Sequence, residues 1–248
     1  MIASRQSGIA LVSVLWLLLL LSGLAATVAY VARINALITR SDLDSARAQA
    51  AADAAVIHAI SGLSDEELSR RPSVSEPTNW EFDQIKTTTE ISSEGGRIDL
   101  NAASDEVIRT FLLSQGMSTQ SAMTLIGQLR SRQGDPSAPA AIRANPLKTL
   151  EELNQLPAWH GRISCWRRSL TVYSGQVEPT HSILLANRSL VGEVLRVRSS
   201  STVGLSAATS EWVGRLTGDQ AKPMLTLAWS HEIAFENDGD CAAQIDGA

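Results

Sequence analysis

The sequence predicts an α+β protein: one very long N-terminal helix, an antiparallel sheet, and an all-helical block inserted between the strands. Three observations carry that expectation. No charge interrupts the chain between Arg5 and Arg33, and small and apolar residues then recur every three or four positions to about Gly62. Alternation of period two appears around Trp80 to Ile91 and returns after Val191. Between these stretches, from Ser104 onward, capped segments of helical period take over.

The first element begins in an apolar run, Gly8 to Ala32, of roughly the two dozen residues a helix needs to cross a bilayer. Leu43, Ala46, Ala50, Ala54 and Ile57 prolong the helical repeat, with Asp42, Asp44, Arg47, Gln49 and Asp53 between them. No proline interrupts it, and Gly23 is the one glycine between Ile9 and Gly62. A single rod over 9–63, on the order of 80 Å long at 1.5 Å per residue, would leave the membrane as an amphipathic stem. Arg5, the apolar Ile9 to Leu21 and the small residues Ser22 to Ala26 also resemble a secretory signal peptide. Against that reading, the uncharged run exceeds a signal core of roughly 7–15 residues, and the helical repeat crosses the would-be cut site unchanged. Arg5 and the terminal amine flank one side and Arg33 and Arg40 the other, so the positive-inside count does not arbitrate. Either way the bulk of the chain is exported.

Of the 248 residues, about 185 remain for compact structure beyond the rod. The net charge of -5 argues against nucleic acid as the main partner. Cys165 and Cys241 are the only cysteines; they either pair in an oxidising setting or stay as separate thiols. Neither lies in a C-x-x-C, so metal and redox motifs of that kind are absent.

Residues 64–103 read as the first part of the α/β body. Ser64 to Glu67 has capping-box spacing, Arg70-Arg71-Pro72 ends that turn, and a polar connector follows to Asn79. Trp80 and Phe82 alternate with Glu81 and Asp83, Thr87 to Ile91 favours strand, and Glu94-Gly95-Gly96 is a turn before Arg97 to Leu100. Two or three short antiparallel strands are expected. The block 104–190 is expected to be all helical. Ser104 caps a helix with Asp105 and Glu106 in its first turn and an apolar face of Val107, Ile108, Phe111 and Leu112. Gly116 ends it, and Ser118 caps a second helix to Arg132. A loop from Gly134 to Pro146 leads to another capping box at Thr149 to Glu152, and Ile163, Trp166 and Leu170 predict a further helix to about Val172. Residues 191–235 return to strands: Leu195 and Val197 alternate with Arg196 and Arg198, and a hairpin turns at Gly218-Asp219. Leu225, Leu227 and Trp229 should share one face there. The tail 236–248 is acidic and rich in small residues.

The junction Gly8/Ile9 after a basic leader (1–8) resembles the cleavage site of type IV pilin-like prepilins, and a membrane helix continuing into a stem and then a sheet is that family's plan. The resemblance implies a type IV pilin-like fold, cut by prepilin peptidase after Gly8, and N-methylation of Ile9. At the fifth mature position, where most pilins carry Glu, this chain has Ser13. In that family the Glu is held to neutralise the terminal amine of a neighbouring subunit, and an unpaired buried ammonium costs several kcal/mol. A subunit without it fits the tip of a fibre, where nothing sits above. Ser13, the segment Leu100 to Ser104 (Leu-Asn-Ala-Ala-Ser) and a helical block between strands together resemble the K-type minor pseudopilin of type II secretion (general secretion pathway protein K). That resemblance implies a non-catalytic, single-pass protein of the bacterial inner membrane with its bulk in the periplasm. Its implied partners are the I- and J-type minor pseudopilins, packed along the stem. Ala46, Ala50, Ala51, Ala54 and Ala55 would suit such packing, or would lie on the protein's own sheet. Calcium is a cofactor the resemblance also implies; Glu236, Asp238 and Asp240 are hard oxygen donors, but their spacing matches no calcium loop and no ligand is assigned.

Leu100 to Ala103 followed by two capped helices also resembles the helix-hairpin-helix of membrane-anchored competence DNA receptors, whose turn amides face phosphate. The corresponding turn here, Gly116-Met117-Ser118, lacks the second glycine, and the second candidate turn, Pro157 to Gly161, is no better. Arg109, Arg130, Arg132, Arg143, Lys148, Arg162, Arg167 and Arg168 give the block a local basic excess, read as a solvated face. An enzyme is not expected. His58, His160, His181 and His231 fall in no metal-ligand spacing, and no Gly-x-Ser-x-Gly or phosphate loop occurs.

Overall fold

The computed structural model describes residues 7–63, 74, 76–134, 144–180, 190–219 and 221–232. Helix α1 runs unbroken from Ser7 to Leu63, 57 residues. Without proline, and with a lone mid-helix glycine that meets nothing within 4 Å, nothing kinks it. It is long and apolar enough to cross a membrane, and its most apolar window is not buried by any other described residue.

The C-terminal half of α1 lies across a five-stranded antiparallel sheet of order β1-β2-β5-β6-β7. The strands are β1 (Thr78–Phe82), β2 (Ile85–Ser93), β5 (Val194–Val203), β6 (Ser206–Leu216) and β7 (Met224–Glu232). Register places Ile91 opposite Val197 and Val197 opposite Trp212, so one face is continuous and apolar. Ala48, Ala51, Ala52, Ala55 and Ala59 let the helix approach that face closely, and Val56, Ile60 and Leu63 fill the core with Ile91, Leu195, Val197 and Trp212. Ser201 Oγ donates to the Ala48 carbonyl at 2.5 Å, tying β5 to the stem. Trp212 folds flat over Gly214: a Cβ there would stand 2.1 Å from the indole. This is the α+β arrangement expected, with a long helix on an antiparallel sheet and a helical block between β2 and β5.

That block has its own core of Leu100, Ile108, Leu112, Leu125, Leu129, Leu153, Trp159 and Trp166. Helix α2 (Asp105–Ser114) is capped by Ser104, whose Oγ accepts from Val107 N, and α3 (Thr119–Gln133) by Ser118, which accepts from Ser121 N. Both caps are where the sequence put them. The Thr149 box opens a 3-10 turn, Leu150–Gln155, and Glu152 Oε1 accepts from Thr149 N at 3.3 Å.

Three expectations are corrected. Arg97 to Leu100 does not extend the antiparallel sheet. Strand β3 (Ile98–Asp99) pairs in parallel with β4 (Leu170–Thr171), so the helical block carries a two-stranded ribbon. The helix expected up to Val172 is a single turn, α4 (Ile163–Trp166), because Leu170 and Thr171 are drawn into that ribbon. Finally, Leu225, Leu227 and Trp229 do not share a face. The β6/β7 register slips at Val213/Gly214 so that Leu227 has no partner, a bulge. Thr226, bonded to Trp212, and Trp229, bonded to His231, then both face α1 while Leu225 faces away. The box at Ser64 to Glu67 and the tail 236–248 lie outside the described residues.

Candidate functional site

The stem presents two faces. Ala48, Ala52, Ala55 and Ala59 are buried on the sheet. At about 100° per residue, Leu43, Ala46, Ala50 and Ile57 fall on the opposite side of the rod. Leu43 is 50% and Ile57 58% exposed, and Ala46 and Ala50 are exposed. The five alanines expected as one stripe therefore divide. Ala51 and Ala55 belong to the sheet contact, Ala46 and Ala50 to the free face, and Ala54 is half-buried between them. This small-residue face is open to a second helix, and small side chains are what allow close helix approach.

Upstream, the Gly8–Ile9 peptide lies in the first turn of α1, and Ser13 sits on the exposed surface of its apolar half. The leader 1–6 lies outside the described residues.

The Leu100 to Ser104 segment is a knot of internal hydrogen bonds. Asp99 Oδ1 accepts from Asn101 N at 2.8 Å and Ala102 N at 3.2 Å, and its Oδ2 accepts from Gly175 N at 2.7 Å. Asn101 Nδ2 donates to the Leu147 and Val172 carbonyls, while its Oδ1 accepts from Leu147 N and Gln133 Nε2. Arg130, 3% exposed, donates to the Leu100 and Ala103 carbonyls, to Gln133 and to Asp105. One short segment thus fastens α2, α3, the backbone at Leu147 and β4.

Beneath it is a buried ionic joint to the sheet that periodicity did not reveal. Arg196 of β5 grips Glu94 with two bonds, Nε to Oε1 at 2.6 Å and Nη2 to Oε2 at 3.2 Å. Its Nη1 also pairs with Glu211 of β6. Arg97 adds a contact to Glu94 Oε1 at 3.3 Å, and Thr171 Oγ1 donates to Glu94 Oε2. Burial alone would push the Glu94 carboxyl up. The hydrogen bonds and charge of Arg196, then the charge of Arg97 and the Thr171 hydroxyl, outweigh it and hold that carboxyl below its ordinary range. Burial lowers Arg196 less than Glu94 and Glu211 raise it, so it stays charged. Two arginines against two glutamates make the joint neutral.

The DNA-receptor reading loses most of its turn donors. Gly116 N and Met117 N bond to Leu113 O and Leu112 O, at 3.0 and 3.2 Å. In the second turn Trp159 N and His160 N bond to Leu156 O, and Ala158 N to Gln128 Oε1. Backbone amides spent on the protein cannot hold phosphate. Part of the basic excess is also spent: Arg109 pairs with Glu106, Arg130 with Asp105, Arg132 with Glu152 and Arg167 with Glu151. Arg143 lies outside the described residues.

The histidines are dispersed. His58 stacks on Trp80 of β1 at 4.5 Å between ring centres, His160 Nδ1 lies 3.0 Å from Asn154 O, and His231 Nε2 lies 3.1 Å from Asp53 Oδ1. Among the described residues, no three His, Cys, Asp or Glu side chains gather as metal ligands. His181, Glu236, Asp238 and Asp240 are outside those residues, as is Cys241; Cys165 sits in α4 against the helical core.

No family model matches the chain, and no curated protein matches it. Among solved structures it is similar to one described as the crystal structure of the GspK-GspI-GspJ complex from the type 2 secretion system of enterotoxigenic Escherichia coli. The identity is 14%, covering 81% of this chain and 99% of that one, with a TM-score of 0.46. At this level of likeness the functional reading rests on the residues of this chain alone.

Proposed function

We propose that this chain is a non-catalytic K-type minor pseudopilin, anchored in the bacterial inner membrane, that caps the tip of a periplasmic pseudopilus and starts its assembly. Its stem packs against the I- and J-type minor pseudopilins. One observation carries the reading: the free face of Leu43, Ala46, Ala50 and Ile57, turned away from the sheet on a helix continuous with a membrane-length segment. A stem serving only its own sheet needs no second face of small and apolar residues. Ser13 supports the tip position, since a subunit without an acid there offers no counter-charge to a terminal amine docked beneath it. Prepilin peptidase cuts between Gly8 and Ile9 and Ile9 is methylated; in the oxidising periplasm Cys165 pairs with Cys241. Mass spectrometry of the mature N-terminus tests the reading. A methylated Ile9 is the expected result, whereas a start near Thr27 or Tyr30 marks an ordinary exported protein and overturns it. Ser13→Glu should impair secretion; full secretion by that variant refutes the tip assignment.

A further inference from the structure

Just below the sheet, the stem has an apolar sector. Counted at about 100° per residue, Ile34, Leu37 and Ile38 fall within about 70° of the line of Ala48, Ala52, Ala55 and Ala59 that lies on the sheet. All three are exposed. The charges of the same stretch stand at the edges of that sector, Arg33, Arg40 and Asp42 about 90–110° from its middle and Asp44 about 70°. Ala36, Thr39 and Leu43 lie behind it, in line with the free face. Two arginines against two aspartates leave Arg33 to Asp44 without net charge. The lower end of the sheet stands over the apolar sector. Ser201 of β5 bonds to the Ala48 carbonyl, and the two-residue β5–β6 turn brings Gly204 against the Asp44 carboxylate. Gly204 takes φ of 61°, and beside it, where turns favour Asn, Asp, Ser or Gly, stands Leu205, 105% exposed. A lone exposed leucine needs no explanation, but four apolar residues on one side within about 15 Å of the stem's length do.

We propose that this corner, Ile34, Leu37 and Ile38 with Leu205, rests in the surface of the bilayer that holds α1, so that before assembly the chain leans toward its sheet side. This rests on the reading above that α1 is a membrane anchor; it adds a direction of lean and gives the β5–β6 turn a lipid partner. Continuity selects the occupant. Ile34 comes directly after Arg33, the first charge past the membrane run, so the apolar sector prolongs a segment already in lipid. Length argues the same way. Ile9 to Ile38 is about 44 Å of helix at 1.5 Å per residue, against a hydrocarbon layer of roughly 30 Å. Tilt takes up such an excess, and at about 40° the stretch projects to about 33 Å. Asp44 then stands about 7 Å above Ile38, inside a headgroup layer of roughly 5–8 Å, with Leu205 beside it on the downward side. Arg33, on the flank, reaches the headgroups through its long side chain. Leaning the opposite way would press Ala36, Thr39 and Leu43 toward lipid and lift Leu205 clear, a smaller apolar gain. A stretch without net charge gives anionic lipid no hold, so the contact is apolar.

The full-length chain is placed alone in phosphatidylcholine nanodiscs, with the photo-crosslinker benzoylphenylalanine replacing Leu18, Leu205 or Asp219 in turn, and adducts are read by mass spectrometry. Leu18 reports the anchor, and Asp219, in the β6–β7 turn, the far end of the sheet. The probe at Leu205 should give a lipid adduct at least about tenfold above the probe at Asp219. Adding Ile34→Gln/Leu37→Gln should cut the Leu205 adduct severalfold and leave the Leu18 adduct unchanged. A lipid adduct at Leu18 with none at Leu205 overturns the lean alone, whereas no lipid adduct at either position defeats the anchor reading with it. A Leu205 adduct undiminished by Ile34→Gln/Leu37→Gln also overturns the corner. So does an adduct that forms only when phosphatidylglycerol is added, which would make the contact ionic. Chains crosslinked to one another at Leu205 in place of lipid would give the corner to a second copy and overturn the proposal.

Discussion

Replacing Arg196 by leucine removes the hub of the joint between sheet and helical block. The Glu94 side chain is 0% exposed, and it would keep only Arg97 at 3.3 Å and the Thr171 hydroxyl, with Glu211 left beside it without its guanidinium. Breaking a buried pair by deleting one partner costs about 3–5 kcal/mol, because the remaining charge is stranded. Arg97 covers part of the deficit, so the lower end, about 3 kcal/mol, is expected. For a folded body of this size that is a fall of about 6–12 °C in Tm. Glu94→Leu/Arg196→Leu leaves one arginine and one glutamate, Arg97 and Glu211, and should recover more than half of the loss, because neutral replacement of a pair is far cheaper than halving it. The assay is thermal unfolding of the full-length chain in detergent, followed by near-ultraviolet circular dichroism of the buried Trp212 and Trp159. A single variant within about 2 °C of wild type refutes the reasoning, as does a double variant no better than the single.

Asn101→Ala strips four hydrogen bonds from the segment that fastens the helical block. It should cost about 2–4 kcal/mol, seen as a lower urea midpoint, since the orphaned partners are largely buried. Gly214→Ala drives a methyl into Trp212 and should cost about 3 kcal/mol, with a changed near-ultraviolet indole signal. Because the Glu94 carboxyl is held below its ordinary range, the unfolded chain takes up that proton first as pH falls. Its contribution is therefore full above the unfolded value, near 4.3, and fades as pH drops through the lower folded one. Urea midpoints from pH 7 to pH 3 should fall more steeply for wild type than for Glu94→Gln.

The features legible in the sequence are those that repeat locally. The 3.6-residue period ran from the membrane segment into the stem, and Ser104 and Ser118 announced α2 and α3 because a cap is satisfied within three residues. What escaped has a common cause. Arg196 and Arg198 alternate with Leu195 and Val197, which reads as an outward polar face, yet the helical block covers that face at Arg196 and makes it a buried charge. Periodicity reports one face of a strand and says nothing of a second layer. The β3–β4 ribbon joins residues about seventy apart with two pairs, too few to leave a pattern. The β1–β2 turn, Asp83-Gln84, takes left-handed φ of 47° and 64° without glycine or asparagine, so its primed two-residue geometry carries no usual turn signal.

The segment behind the family resemblance, Leu100 to Ser104, proves to be architectural. Its asparagine and its flanking Asp99 are saturated by the chain's own donors and acceptors, so it fixes how the helical block is hung on the sheet and leaves no group for a ligand. Under the proposed function, the partner contacts along the stem then sit on residues that belong to no motif. Those are the side chains of α1 that the sheet does not use, which a composition of alanine, leucine and arginine hides in plain helix. Only the division of the rod into a buried and a free face tells Ala50 from Ala51, and that division depends on which side the sheet takes.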